Sequence, residues 1–138
     1  MLASQQCTAQ RCSQAALEAE RLIASRDPTQ GEEQAILAQV LILAGESSAA
    51  TGDLGRAESL LQEARAIAQR AAGDQQLSNL IPLANAERAL GAFYAHRHRT
   101  AEARACYQRL ADLWQRLPES SEYIDRQRIA AQRLLSSL

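Results

Sequence analysis

The stretch GAFYAHRHRT, Gly91 to Thr100, carries both histidines of the chain, His96 and His98, each followed by an arginine. Imidazoles bind metals and carry protons near neutral pH, and guanidinium groups grip phosphates and carboxylates, so the run has the residue types of a metal or anion site. The spacing argues against a metal. Helical ligand pairs lie three or four residues apart so that both reach one side. His96 and His98 are two apart and point to nearly opposite sides. A simpler reading is electrostatic: Arg97, Arg99 and the histidines stand where a helix ends and presents unpaired carbonyls with negative partial charge. A modest contact with an anion or acidic peptide is the alternative.

The other reactive residue types form no catalytic pattern. Cys7, Cys12 and Cys106 are odd in number, with no CxxC or Cys/His ligand spacing, and read as reduced thiols packed like small apolar residues. A Cys7–Cys12 bridge would be awkward at five residues apart on a helix. The acid pairs Glu32-Glu33 and Glu119 with Glu122 fall at helix starts, where negative charge is favoured. No Ser-His-Asp, phosphate-loop or HExxH arrangement is present. The expectation is therefore a chain with no catalytic residues, no metal and no cofactor, and not an enzyme.

Composition narrows the classes further. At 138 residues the chain is one domain, 1–138, with 15 basic residues against 16 acidic. A general nucleic-acid binder would carry a basic excess, so no nucleic-acid partner is expected. Every basic residue is Arg, and Ala is the commonest residue, a composition of the kind GC-rich bacterial genomes encode. The start, MLASQQCTAQRC, has no apolar core of a signal peptide. The most apolar run, Ala35 to Gly45, is too short to span a bilayer and contains Gln39, so no membrane insertion of this segment is expected.

Stepping along the chain, nearly every segment is built from Ala, Leu, Gln, Glu and Arg, with a single Val and no strand-like alternation. Punctuation at Asp27-Pro28, Thr51-Gly52-Asp53, Gly73-Asp74, His98-Arg99-Thr100 and Leu117-Pro118 divides it into about six helices. They are expected near 4–26, 31–51, 54–72, 79–97, 100–116 and 119–136. Asp53 and Thr100 are the expected caps of the third and fifth. Pro82 is expected in a first turn, where backbone N–H groups have no intrahelical partner, with a helix start near Ser78 to Ile81. Trp114, with Leu110 and Tyr107 one and two turns before it, is expected in the core against the last helix, with Tyr123 in the same seam.

Two blocks repeat at an offset of 46. Ala44-Gly45-x-x-Ser48 aligns with Leu90-Gly91-x-x-Tyr94, then Gly52 with His98, Ala57 with Ala103, Leu61 with Tyr107, and Ala64 with Leu110. The pattern resembles the tetratricopeptide repeat (TPR), in which Leu-Gly-x-x-Tyr lies on a first helix and Ala-x-x-x-Phe/Tyr-x-x-Ala on a second. The family's Trp is absent, with Leu41 and Glu87 at those places, and the spacing is longer than its basic 34. The resemblance implies an all-α fold of antiparallel helix pairs stacked as a short right-handed superhelix. Residues 31–72 and 79–116 would be the repeats, 4–26 a first or capping helix, and 119–136 a C-terminal cap covering the open end of the stack.

It also implies where a partner would bind. The first helices of such pairs line a concave face, which would place Gln39, Ile42, Glu46 and Ala49 beside Asn85, Arg88, Ala92 and His96. A protein or peptide segment could lie there, and an exposed helix face could support a homodimer. Separately, Ala101 to Pro118 is similar to the terminal repeat of some bacterial Ser/Thr protein kinases, although no kinase motif is present. The function expected is a non-catalytic, cytoplasmic protein–protein interaction module. The alternative is a regulatory or sensory appendage of a larger signalling enzyme, extracytoplasmic if it is the tail of a membrane-spanning chain.

Overall fold

In a computed structural model, residues 31–72, 77–118 and 120–138 are described, and they form five helices and no strands. They are α1 (Gly31–Ala50), α2 (Leu54–Ala71), α3 (Leu77–His96), α4 (Thr100–Gln115) and α5 (Glu122–Ser136). The helix expected at 4–26, the Gly73-Asp74 break and Cys7 and Cys12 lie outside the described residues. No described helix is long and apolar enough to cross a membrane.

The sequence explains α2 and α4 through one buried stripe each. On α2, Ala57, Leu60, Leu61, Ala64, Ile67 and Ala68 recur every three or four residues and are all buried. On α4 the stripe is Ala103, Cys106, Tyr107, Leu110, Ala111, Leu113 and Trp114. Each fully buried Leu or Ile contributes about 1.5–3 kcal/mol, and one contiguous core joins the helices. Consecutive helices pack together throughout, and α1 also packs on α3. Among the described helices α5 approaches only α4, and α3 packs on α1, α2 and α4.

The offset of 46 is built into the backbone. At the end of α1 the Gly52 N–H donates to the Ala49 carbonyl at 3.1 Å, and Asp53 N–H to the Ser48 carbonyl at 2.9 Å. At the end of α3, His98 N–H donates to Ala95 at 3.1 Å and Arg99 N–H to Tyr94 at 2.9 Å, the same bonds 46 residues on. Both turns are the left-handed helix stop that usually selects glycine. Gly52 has φ 88°, and His98 has φ 60°, the only non-glycine positive φ among the described residues.

Helix crossing distances repeat as well. A methyl placed on Gly45 would stand 2.8 Å from Leu61 Cγ, and one on Gly91 would stand 2.5 Å from Tyr107 Cε1. Each glycine lets α1 press onto α2, and α3 onto α4, until the partner's large side chain covers the bare backbone.

Three boundaries differ from expectation. Asp53 caps α2, its carboxylate accepting the Arg56 N–H at 3.3 Å. Thr100 does not cap α4: the cap position is Arg99, with no side-chain cap bond, because the turn from α3 sets Arg99 as its exit residue and Thr100 is already helical. Helix α3 begins at Leu77, so Pro82 lies inside it rather than in its first turn. The last helix starts at Glu122, not 119, because the Ser121 hydroxyl accepts the Ile124 N–H at 3.2 Å and fixes the start there.

Candidate functional site

The expected partner-facing residues lie on α1 and α3, two helices that pack together. Gln39, Glu46, Arg88 and His96 are exposed, and Ala49, Asn85 and Ala92 are half-buried. Ile42 belongs instead to the core at 4% exposed, so it is no open contact for a partner. Glu46 is exposed at the surface, yet partial loss of water around its carboxyl pushes its pKa up, and Arg88 pulls it partly back. The α1 acid and the α3 base are thus electrostatically coupled across the two helices. Arg88 also donates to Asn85 Oδ1 at 3.0 Å, which fixes the guanidinium along its own helix.

Because α5 leans on α4 alone, a cleft of about 260 Å³ opens between α3 and α5. Asn85 and Arg88 stand on its α3 wall, Tyr123 and Gln127 on its α5 wall, and Leu110 and Trp114 on its floor. Trp114 is buried and meets the Tyr123 ring edge-on, centroids 6.0 Å apart. The tryptophan is therefore core, and the exposed tyrosine is the part of that pair a partner can touch.

The histidines stand apart. His96 ends α3, and exposed His98 occupies the left-handed turn position, which favours glycine over any side chain. Among the described residues no three His, Cys, Asp or Glu side chains gather where they could hold a metal. Of the HRHR run, Arg99 does the most. It lies 4.6 Å over the Tyr94 ring, bonds Glu58 on α2 at 2.7 Å, and bonds Glu102 on α4. Glu102 and Glu58 hold its pKa above the ordinary arginine value. The Arg99 bond in turn holds the Glu58 carboxyl below its usual value. Tyr94 completes the cluster, donating to Glu58 and accepting from Gln62 at 3.0 Å, and burial raises its pKa.

A second polar centre escaped the sequence reading. Glu87, 2% exposed, accepts from Arg65 Nε at 2.9 Å and Arg109 Nε at 2.8 Å, both on Oε2. It joins α3 to α2 and α4 at once, two helices that do not pack on each other. Burial works against the Arg109 cation, but the bond to Glu87, the Glu87 charge and Cys106 together outweigh it and raise its pKa. Arg109 also reaches Cys106 Sγ at 3.3 Å. Burial pushes that thiol up to about 11, with Glu87 adding to the rise. Cys106 is therefore a packed thiol and a poor nucleophile. The signal for this centre was present: Glu87 interrupts the apolar stripe of Leu80, Leu83, Leu90 and Tyr94, and a charge on a buried stripe demands partners.

Comparison with protein-family models, curated proteins and solved structures finds no match for this chain.

Proposed function

We propose that the chain is a non-catalytic protein–protein interaction module, a TPR-like scaffold that receives a peptide or partner helix on the α1–α3 face. The observation that carries this is that exposed Glu46 and exposed Arg88 stand on α1 and α3, two helices that pack together. Two opposite charges from different helices share one face, beside a cleft rimmed by an exposed aromatic ring. Mixed charge around an apolar floor suits a helix or extended segment that pairs ions at its edge and inserts a side chain between. The 46-residue recurrence of turns and glycine crossings supports the repeat reading, as does the packing of each helix on its successor and of α1 on α3.

The test exchanges the charges, Glu46→Arg with Arg88→Glu. Both residues are exposed, so the fold should survive, as unchanged circular dichroism and melting would show. A partner recovered with the wild-type chain should be lost from the exchanged one. Retention of that partner would remove the α1–α3 face from consideration.

A second reading rests on Ala101 to Pro118, similar to the terminal repeat of bacterial Ser/Thr kinases: a regulatory or sensory appendage of a larger signalling enzyme. The coding sequence on either side of this chain decides between the two readings.

A further inference from the structure

We propose that Arg65, Glu87 and Arg109 form a binding site for a carboxylate, where α3 meets α2 and α4. Each arginine gives its Nε to the same oxygen of Glu87, at 2.9 Å from Arg65 and 2.8 Å from Arg109. Anchoring a guanidinium through Nε fixes its plane and leaves the terminal nitrogens to point elsewhere. Neither terminal nitrogen of Arg65 meets a described protein acceptor, and Arg109 commits one, to Cys106 Sγ. The other oxygen of Glu87 has no hydrogen-bond partner among the described residues, so the two guanidiniums alone secure that buried charge.

Those guanidiniums border a cavity of about 510 Å³ between α2 and α4, with Leu83 and Leu113 as apolar wall. Arg116 and Asp112 stand at its edge. Three cations against two carboxylates leave an excess of one positive charge. A monoanion balances that excess, whereas a phosphate dianion overshoots it and faces Glu87 from close by. Planar guanidiniums match a planar carboxylate with parallel N–H bonds. The leucines suit the short methylene stem that carries it. The ligand class is therefore a carboxylate on a short aliphatic stem, from a small organic acid or from an acidic side chain of a bound segment.

The test follows the Nε–H signals of Arg65 and Arg109 by NMR in the full chain at constant ionic strength. The probes are butyrate, butyramide, N-acetyl-glutamate methylamide and inorganic phosphate. Butyrate or the blocked glutamate should shift both signals, butyramide should not, and phosphate should bind roughly tenfold more weakly than the better carboxylate. Tighter binding of butyrate assigns the site to small acids, and tighter binding of the blocked glutamate assigns it to acidic side chains. Glu87→Gln keeps an oxygen for both Nε groups while removing the opposing charge, so it should tighten carboxylate binding roughly tenfold. If that variant does not fold, exposed Arg116→Gln serves instead and should weaken binding several-fold. The proposal is overturned if neither carboxylate shifts the signals, if phosphate binds as tightly as they do, or if the folded variant leaves affinity unchanged.

Discussion

Gly91 has no room for even a methyl group: a Cβ there would lie 2.5 Å and 2.8 Å from the Tyr107 ring and 3.1 Å from Cys106 Cβ. Gly91→Ala is expected to destabilise by about 1–3 kcal/mol through overpacking. In a Tyr107→Ala background the ring is gone and the same change should be far milder, so a double-mutant cycle by urea denaturation should show strong coupling. Additive effects would place the strain elsewhere. His98 is the second informative residue, because a left-handed conformation disfavours a side chain by about 1 kcal/mol. His98→Gly should stabilise by a few tenths to about 1 kcal/mol, since the freer unfolded chain takes back part of the gain. The reverse change at the matching turn, Gly52→His, should lower the melting temperature. If His98→Gly lowers it too, the imidazole has a contact that the exposed position does not suggest.

Among the elements, α5 is the one held by few bonds. Its Ile124 and Ala131 are buried, and Arg128 reaches back to the carbonyls of Trp114 at 3.1 Å and Leu117 at 3.0 Å, closing the end of α4. A cation on the last carbonyls of a helix is favourable electrostatically and satisfies groups that have no helical donor. Arg128→Ala is expected to cost about 1–3 kcal/mol and to loosen α5 from α4. Trp114 reports this directly as the only tryptophan in the chain. Its emission should shift to the red at denaturant concentrations where the far-ultraviolet helix signal persists. A single coincident transition would mean that α5 and the rest unfold as one unit.

Over the whole molecule, two carboxyls with opposite shifts shape the acid response. Glu58, bonded by Arg99, has a folded pKa below its unfolded one. The unfolded chain binds more protons between those values, so the stabilisation is present above the unfolded value and is lost as pH falls through the folded one. Glu46 is raised by partial loss of water around its carboxyl, so its ionised form is disfavoured in the fold and acidification relieves that. Urea midpoints measured from roughly pH 3 to 7 should therefore fall less steeply on acidification in Glu58→Gln and more steeply in Glu46→Gln. Parallel curves would show that neither carboxyl controls this range.

What the sequence revealed of this molecule depended on period. Gly45 with Leu61 and Gly91 with Tyr107 were legible because the same pattern occurs twice. Asp53 was legible as a cap, but Thr100 was not excluded, because which residue leaves a left-handed turn depends on backbone torsions. The start of α5 was missed by three residues because Leu117-Pro118 followed by Glu119 reads as a helix beginning, whereas the Ser121 cap sets it at Glu122. Glu87 was noticed only as the occupant of a family tryptophan position. Its partners lie 22 residues away on either side, beyond any helical period.

The two matching turns differ in one respect that bears on how the chain assembles. Gly52 enters its left-handed state freely, so the reversal between α1 and α2 can form in the unfolded chain with little bias against it. His98 resists that state until neighbouring contacts compel it. Early closure should then belong to the first hairpin, and α3 and α4 would be laid onto a template already standing, giving two hairpins with matching turns a directional order of folding from the Gly52 turn outward.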